Sequence, residues 1–131
     1  MSRIALEPKN TTNLETKRIF SNRENIVGSI PDAYCAFGRH SHILQANWNK
    51  TIRVLSEGNL PHSLKESIAL AVSEKNGCNF CVHIHEPNLL QQGFSEDHVL
   101  GIKKAIHKTA KIDFVLKFCV QATSAPAKIT A

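Results

Sequence analysis

Long apolar runs are missing from this sequence. No stretch approaches the roughly 18 residues that a membrane-spanning helix requires, so a helical membrane protein is not expected. The first residues, Met1 to Asn13, are polar and hold no apolar h-region, and no secretory leader is expected from them. Cysteine is sparse, with four in 131 residues, too few for a fold stapled by disulfides. A chain without a leader is expected in the reducing cytoplasm, where a close cysteine pair points to redox catalysis or metal rather than to a structural cross-link. Aromatics are few, with one Trp and one Tyr. Sixteen Lys and Arg against eleven Asp and Glu leave a charge of +5. The positives are nevertheless scattered from Arg18 to Lys117, and no basic run is interleaved with aromatics. That pattern reads as a solvated basic surface, with neither nucleic acid nor membrane as a partner. Turn signals joining two alternating segments are also absent, so no sheet is expected.

What remains is one domain's worth of ordinary globular sequence, 42% apolar and 21% charged. The punctuation is helical, and the expectation is an all-α bundle of about six helices. Residues 1–16 read as a flexible polar arm, with an Asn/Thr cluster at 10–13, that could pack on a neighbouring subunit; residues 17–131 read as a single helical domain. A short helix follows Pro31. From about His40 to Glu57, Leu44, Trp48, Ile52 and Leu55 share one helix face. Pro61 opens the next element. Ser63 is expected to cap a helix running to about Asn76, with Glu66 closing a capping box. Its centre, Ile68 to Val72, is apolar on nearly every side, as in a buried helix. Gly77 ends it, and a helix from about Cys78 to Gln92 follows. Ser95 is the cap of another helix, with Glu96 and Asp97 in its first turn and Val99, Ile102 and Ile106 on its inner face. A last helix spans about Lys108 to Ala122.

The chemistry concentrates in Gly77-Cys78-Asn79-Phe80-Cys81-Val82-His83-Ile84-His85. On a helix, with Cys78 as the origin, Cys81 falls at about 300° and His85 at about 340°. His83 and Phe80 fall on the other side. Cysteines at i and i+3 on a first helical turn can close a disulfide, and a thiol at a helix N-terminus gains thiolate character from the dipole and the unpaired N–H groups. His85, one turn beyond Cys81, can take the thiol proton. If the helices on either side of Gly77 fold back as a hairpin, Glu66 comes within reach of His85, directly or through water. Glu66 would then orient His85, and its pKa is expected to move up toward neutrality against the apolar helix. The capping box competes for the same carboxylate. Zinc is a competing occupant of Cys78, Cys81, His85 and Glu66, although no second Cys/His pair follows at short spacing. His83 reads as a surface residue, Cys35 and Cys119 as core thiols, and Phe94 as a packing anchor beyond a helix end. His40, His42, His62, His98 and His107 form no usable pattern.

The spacing Glu66, Cys78, Cys81, His85 resembles the E-x11-C-x2-C-x3-H motif of the AhpD-like branch of the carboxymuconolactone decarboxylase family, and the likeness extends over roughly residues 30 to 107. In the founding peroxidase type a His directly precedes the second cysteine; here that position is Phe80, which bears on peroxidase activity rather than on the redox pair. The resemblance implies an all-α fold assembling as a homo-oligomer, a trimer or a hexamer. It implies an antioxidant oxidoreductase that reduces alkyl hydroperoxides through a dithiol/disulfide cycle, with Cys78, Cys81, His85 and Glu66 as catalytic residues and no bound cofactor or metal. Electrons would come from a lipoyl-type or thioredoxin-type dithiol partner and could pass to a peroxiredoxin. Of the two thiols, the helix terminus favours Cys78 as the first to attack and His85 favours Cys81; the expectation leans to Cys81, because a positioned base is a more specific feature than a dipole. The alternatives are a carboxymuconolactone decarboxylase-type enzyme, a non-peroxidatic thiol-disulfide relay or a metal-binding module.

Overall fold

The computed structural model describes residues 3–129. Among these there are seven α-helices and no strand: α1 (Leu14–Val27), α2 (Asp32–Gly38), α3 (Ser41–Leu55), α4 (His62–Lys75), α5 (Asn79–Gln91), α6 (Glu96–Lys103) and α7 (Ala110–Ser124), followed by a 3-10 turn at Pro126–Lys128. The all-α expectation holds, with one helix more than the six or so anticipated. No helix of the described residues is long and apolar enough to cross a membrane. The described chain divides into two units between Gly58 and Asn59.

The first unit holds α1, α2 and α3, with α3 packed on both of the others. Its core is Ile19, Phe20, Ile30, Cys35, Leu44 and Trp48. The helix that sequence patterning did not delimit is α1, and the reason is visible in its buried stripe. Thr16, Ile19, Phe20 and Arg23 follow helical spacing and are all buried, but two of the four are polar. Thr16 donates its hydroxyl to the Gly38 carbonyl at 3.2 Å, and the Arg23 guanidinium lies 5.1 Å from the Tyr34 ring centroid. Ahead of α1, the Glu7 N–H donates to the Cys35 carbonyl at 2.8 Å, and the Asn13 side chain caps the helix by accepting from the Thr16 N–H. Gly38 is a close approach: a Cβ there would stand 2.9 Å from the Phe20 ring.

The second unit is built around α4, on which α5, α6 and α7 all pack. The core comprises Leu70, Ala71, Val82, Leu89, Val99, Ile102, Ala105 and Leu116, with Ile68, Phe94, Ile112 and Val120 against it. The central run of α4 is less enclosed than its composition implies. Leu70 and Ala71 are buried, whereas Ile68, Ala69 and Val72 are half-buried.

Three helix ends in this unit share one closure. At Gly77, Gly93 and Ala105 the backbone turns left-handed. The next N–H then reaches back to a carbonyl five residues earlier: Cys78 to Ser73, Phe94 to Leu89 and Ile106 to Gly101. Phe94 packs on the core as expected of such a position. Ile106 does not: α6 stops at Lys103, the turn at Ala105 swings the chain, and Ile106 is 53% exposed rather than on the inner face. Ser95 caps α6 as expected, accepting from the His98 N–H.

Candidate active site

The site is assembled across the α4–α5 reversal. Gly77 adopts φ +64° with open space where a Cβ would stand, so its requirement is conformational rather than steric. The residue after it serves both helices. The Cys78 N–H closes α4 on the Ser73 carbonyl at 3.0 Å, and the Cys78 sulfur caps α5, accepting from the Cys81 N–H at 3.3 Å. Cys78 and Cys81 are joined as a disulfide with their Cα atoms 5.3 Å apart. Both are half-buried at the positive end of the α5 dipole, which favours a thiolate once the bond is reduced.

Glu66 does not complete a capping box. Pro61 occupies the N-cap of α4 with no side-chain cap bond, so the helix begins two residues earlier than expected and Ser63 lies inside it. The Ser63 carbonyl instead accepts the Ser67 hydroxyl at 2.7 Å. Glu66 is thereby carried a full turn into the helix, where it is 3% exposed and faces α5. Its Oε2 accepts a hydrogen bond from His85 Nδ1 at 2.8 Å and another from Asn88 Nδ2 at 3.2 Å. Its Oε1 lies 3.6 Å from His62 Nε2, and the His62 side chain is 53% exposed.

Burial alone would raise the Glu66 pKa. The hydrogen bonds from His85 and Asn88 and the adjacent imidazoles of His85 and His62 outweigh it, and the carboxyl sits below its usual range. This corrects the expectation of a shift toward neutrality: the apolar helix supplies the desolvation, but the donors that α5 brings to the same carboxylate prevail. Glu66 is therefore an ionised acceptor that fixes the His85 ring and tautomer, leaving Nε2 as the free nitrogen.

His85 stands one turn beyond Cys81 on α5, the spacing at which helix side chains are neighbours. His83 is exposed and directs Nδ1 at its own helix, 2.6 Å from the Asn79 carbonyl. Phe80 is 54% exposed. Burial pushes the thiols of Cys35 and Cys119 up, away from thiolate formation, as suits packing residues. Among the described residues no group of three or more His, Cys, Asp or Glu could hold a metal ion.

Two residues of the site escaped sequence reasoning, and both carry a helical-spacing signal. Asn88 lies three positions after His85, and His62 four positions before Glu66. A third surprise is Pro87, which sits inside α5 without an N–H for the His83 carbonyl and does not end the helix.

Residues 33–106 match the sequence model of the carboxymuconolactone decarboxylase family. No curated protein matches the chain significantly. Among solved structures, the chain is similar to the crystal structure of the alkylhydroperoxidase AhpD core from Rhodospirillum rubrum. That likeness has a TM-score of 0.69 and 22% identity, and covers 100% of this chain and 94% of that one. At this identity the likeness establishes the fold.

Proposed function

The chain belongs to the carboxymuconolactone decarboxylase family, and from that premise we propose that it is a thiol-dependent hydroperoxidase. The observation that carries the reading is the cysteine pair at the start of α5, on the helix whose His85 is held by a buried carboxylate.

In the reduced protein, His85 takes the Cys81 proton and the thiolate attacks one oxygen of the hydroperoxide. The O–O bond breaks, Cys81 becomes a sulfenic acid, and the alcohol leaves with the proton that His85 returns. The Cys78 thiol then attacks the sulfenic sulfur, forming the disulfide and releasing water. Two electrons have passed from the dithiol to the peroxide. An external dithiol of the lipoyl or thioredoxin type restores the pair by exchange, delivering two electrons and two protons and leaving as its own disulfide. The steps need no cofactor.

The test is hydroperoxide consumption by the purified protein, with dihydrolipoamide and reduced thioredoxin compared as donors. Turnover with either donor, abolished by Cys81→Ser, is the expected result. Unchanged turnover in that variant overturns the assignment. A disulfide that cycles without peroxide consumption would make the protein a thiol-disulfide relay. Conversion of a carboxylated lactone that survives loss of both cysteines would place it with the decarboxylases that give the family its name.

A further inference from the structure

Glu66 is shared between two imidazoles. His85 holds Oε2 from α5, and His62 approaches Oε1 from the first position of α4. The two differ in access to solvent: the His85 side chain is largely covered, while that of His62 stands half in water. The charges acting on Glu66 are those of His85 and His62; among the described residues of α6 and α7, which also pack on α4, none contributes. Glu86, the acidic residue next to His85, is engaged elsewhere, at 2.7 Å from Lys103 of α6. The two histidines thus supply the charges at the carboxylate, while Asn88 adds a neutral donor to Oε2.

We propose that His62 is a positioning residue that tunes the His85 base through their common carboxylate, switching the site down when His62 is protonated. This rests on the hydroperoxidase reading above. A neutral His62 leaves the Glu66 charge to His85 and stabilises the imidazolium that forms when Cys81 gives up its proton. A protonated His62 spends that same charge, and its own positive charge opposes a second one on His85. The thiol then loses its proton less readily.

The experiment compares wild type with His62→Gln and His62→Lys, two substitutions at an exposed first-turn position, with helicity checked by circular dichroism. Two readouts are taken against pH: hydroperoxide turnover, and alkylation of the reduced protein by iodoacetamide. His62→Gln removes the titrating charge and should move the acid limb of both profiles to lower pH, by about one unit. His62→Lys keeps a positive charge throughout and should move both limbs to higher pH. Opposite shifts are the signature of charge, because a purely structural role would move the two variants the same way. Limbs that coincide, or that shift together, overturn the proposal. If alkylation splits in opposite directions while no hydroperoxide is consumed, the tuning stands and the peroxidase reading fails. If turnover is robust and neither limb moves, the tuning fails alone.

Discussion

Glu66 and His85 lie nineteen residues apart in sequence and are joined by a 2.8 Å hydrogen bond across the α4–α5 reversal. The carboxylate is buried, its pKa is lowered, and its partners all come from α5 or from its own first turn. The bond is thus a tie between the two helices as well as a constraint on the base.

That dual role has a pH signature. Because folding lowers the Glu66 pKa, the ionised group stabilises the folded protein above the ordinary carboxyl value of about 4.3. The contribution is lost as the pH falls from there through the depressed native value. Glu66→Gln should remove roughly 1–3 kcal/mol at pH 7, since it leaves the donors of α5 without a charged acceptor. Urea unfolding from pH 3 to 7 checks both points. Wild type should lose stability in acid more steeply than the variant. Parallel curves would show that the carboxylate does not couple folding to protons.

Asn88 contributes the second hydrogen bond to Oε2, and its loss should raise the Glu66 pKa, since a donor to the ionised form is removed. Asn88→Ala should therefore destabilise by about 1 kcal/mol, less than Glu66→Gln. Carboxyl chemical shifts of Glu66 followed by NMR titration would show the upward move directly. An unmoved titration would mean that His85 alone holds the carboxylate.

The sequence made the bundle and the cysteine–histidine face legible, because both rest on local periodicity: Cys78, Cys81 and His85 needed only the pitch of one helix. The Glu66–His85 reach followed from counting residues on either side of Gly77. The first turn of α4 resisted reading. Ser63 and Glu66 satisfy a capping pattern, and only the earlier start at Pro61 turns Glu66 inward. The direction of the Glu66 shift was hidden because Asn88 donates to it only once α5 is docked on α4, and because the i,i+4 spacing of His62 and Glu66 went unread. Helix α1 stayed hidden because Thr16 and Arg23 occupy core positions that hydrophobicity does not mark. Ile106 was misplaced because a left-handed alanine, rather than a glycine, closes α6.

Reduction of the cysteine pair should leave the fold in place. The disulfide spans a sequence separation of only three residues, and closing so short a loop constrains the unfolded chain by about 2 kcal/mol. Thermal melts with and without dithiothreitol should differ by several degrees and remain cooperative. Unfolding on reduction would be incompatible with a pair that cycles.

The α4–α5 reversal can be tested through Gly77, where conformation and space make opposite predictions. Its backbone is left-handed, and nothing stands within 4 Å of the position a Cβ would take. If the only demand is on the backbone, Gly77→Ala should cost about 1 kcal/mol, the penalty for placing an ordinary side chain in that region. Gly77→Asn should cost less despite its greater bulk, because asparagine adopts the left-handed conformation more readily. If space were the constraint, the order would reverse. The same pair reports on the site, since the Cys78 N–H bond to Ser73 is made immediately after the turn. Alanine should slow disulfide re-formation in the reduced protein more than asparagine does. Equal stabilities and equal closure rates for the two variants would show that the turn does not position the cysteines.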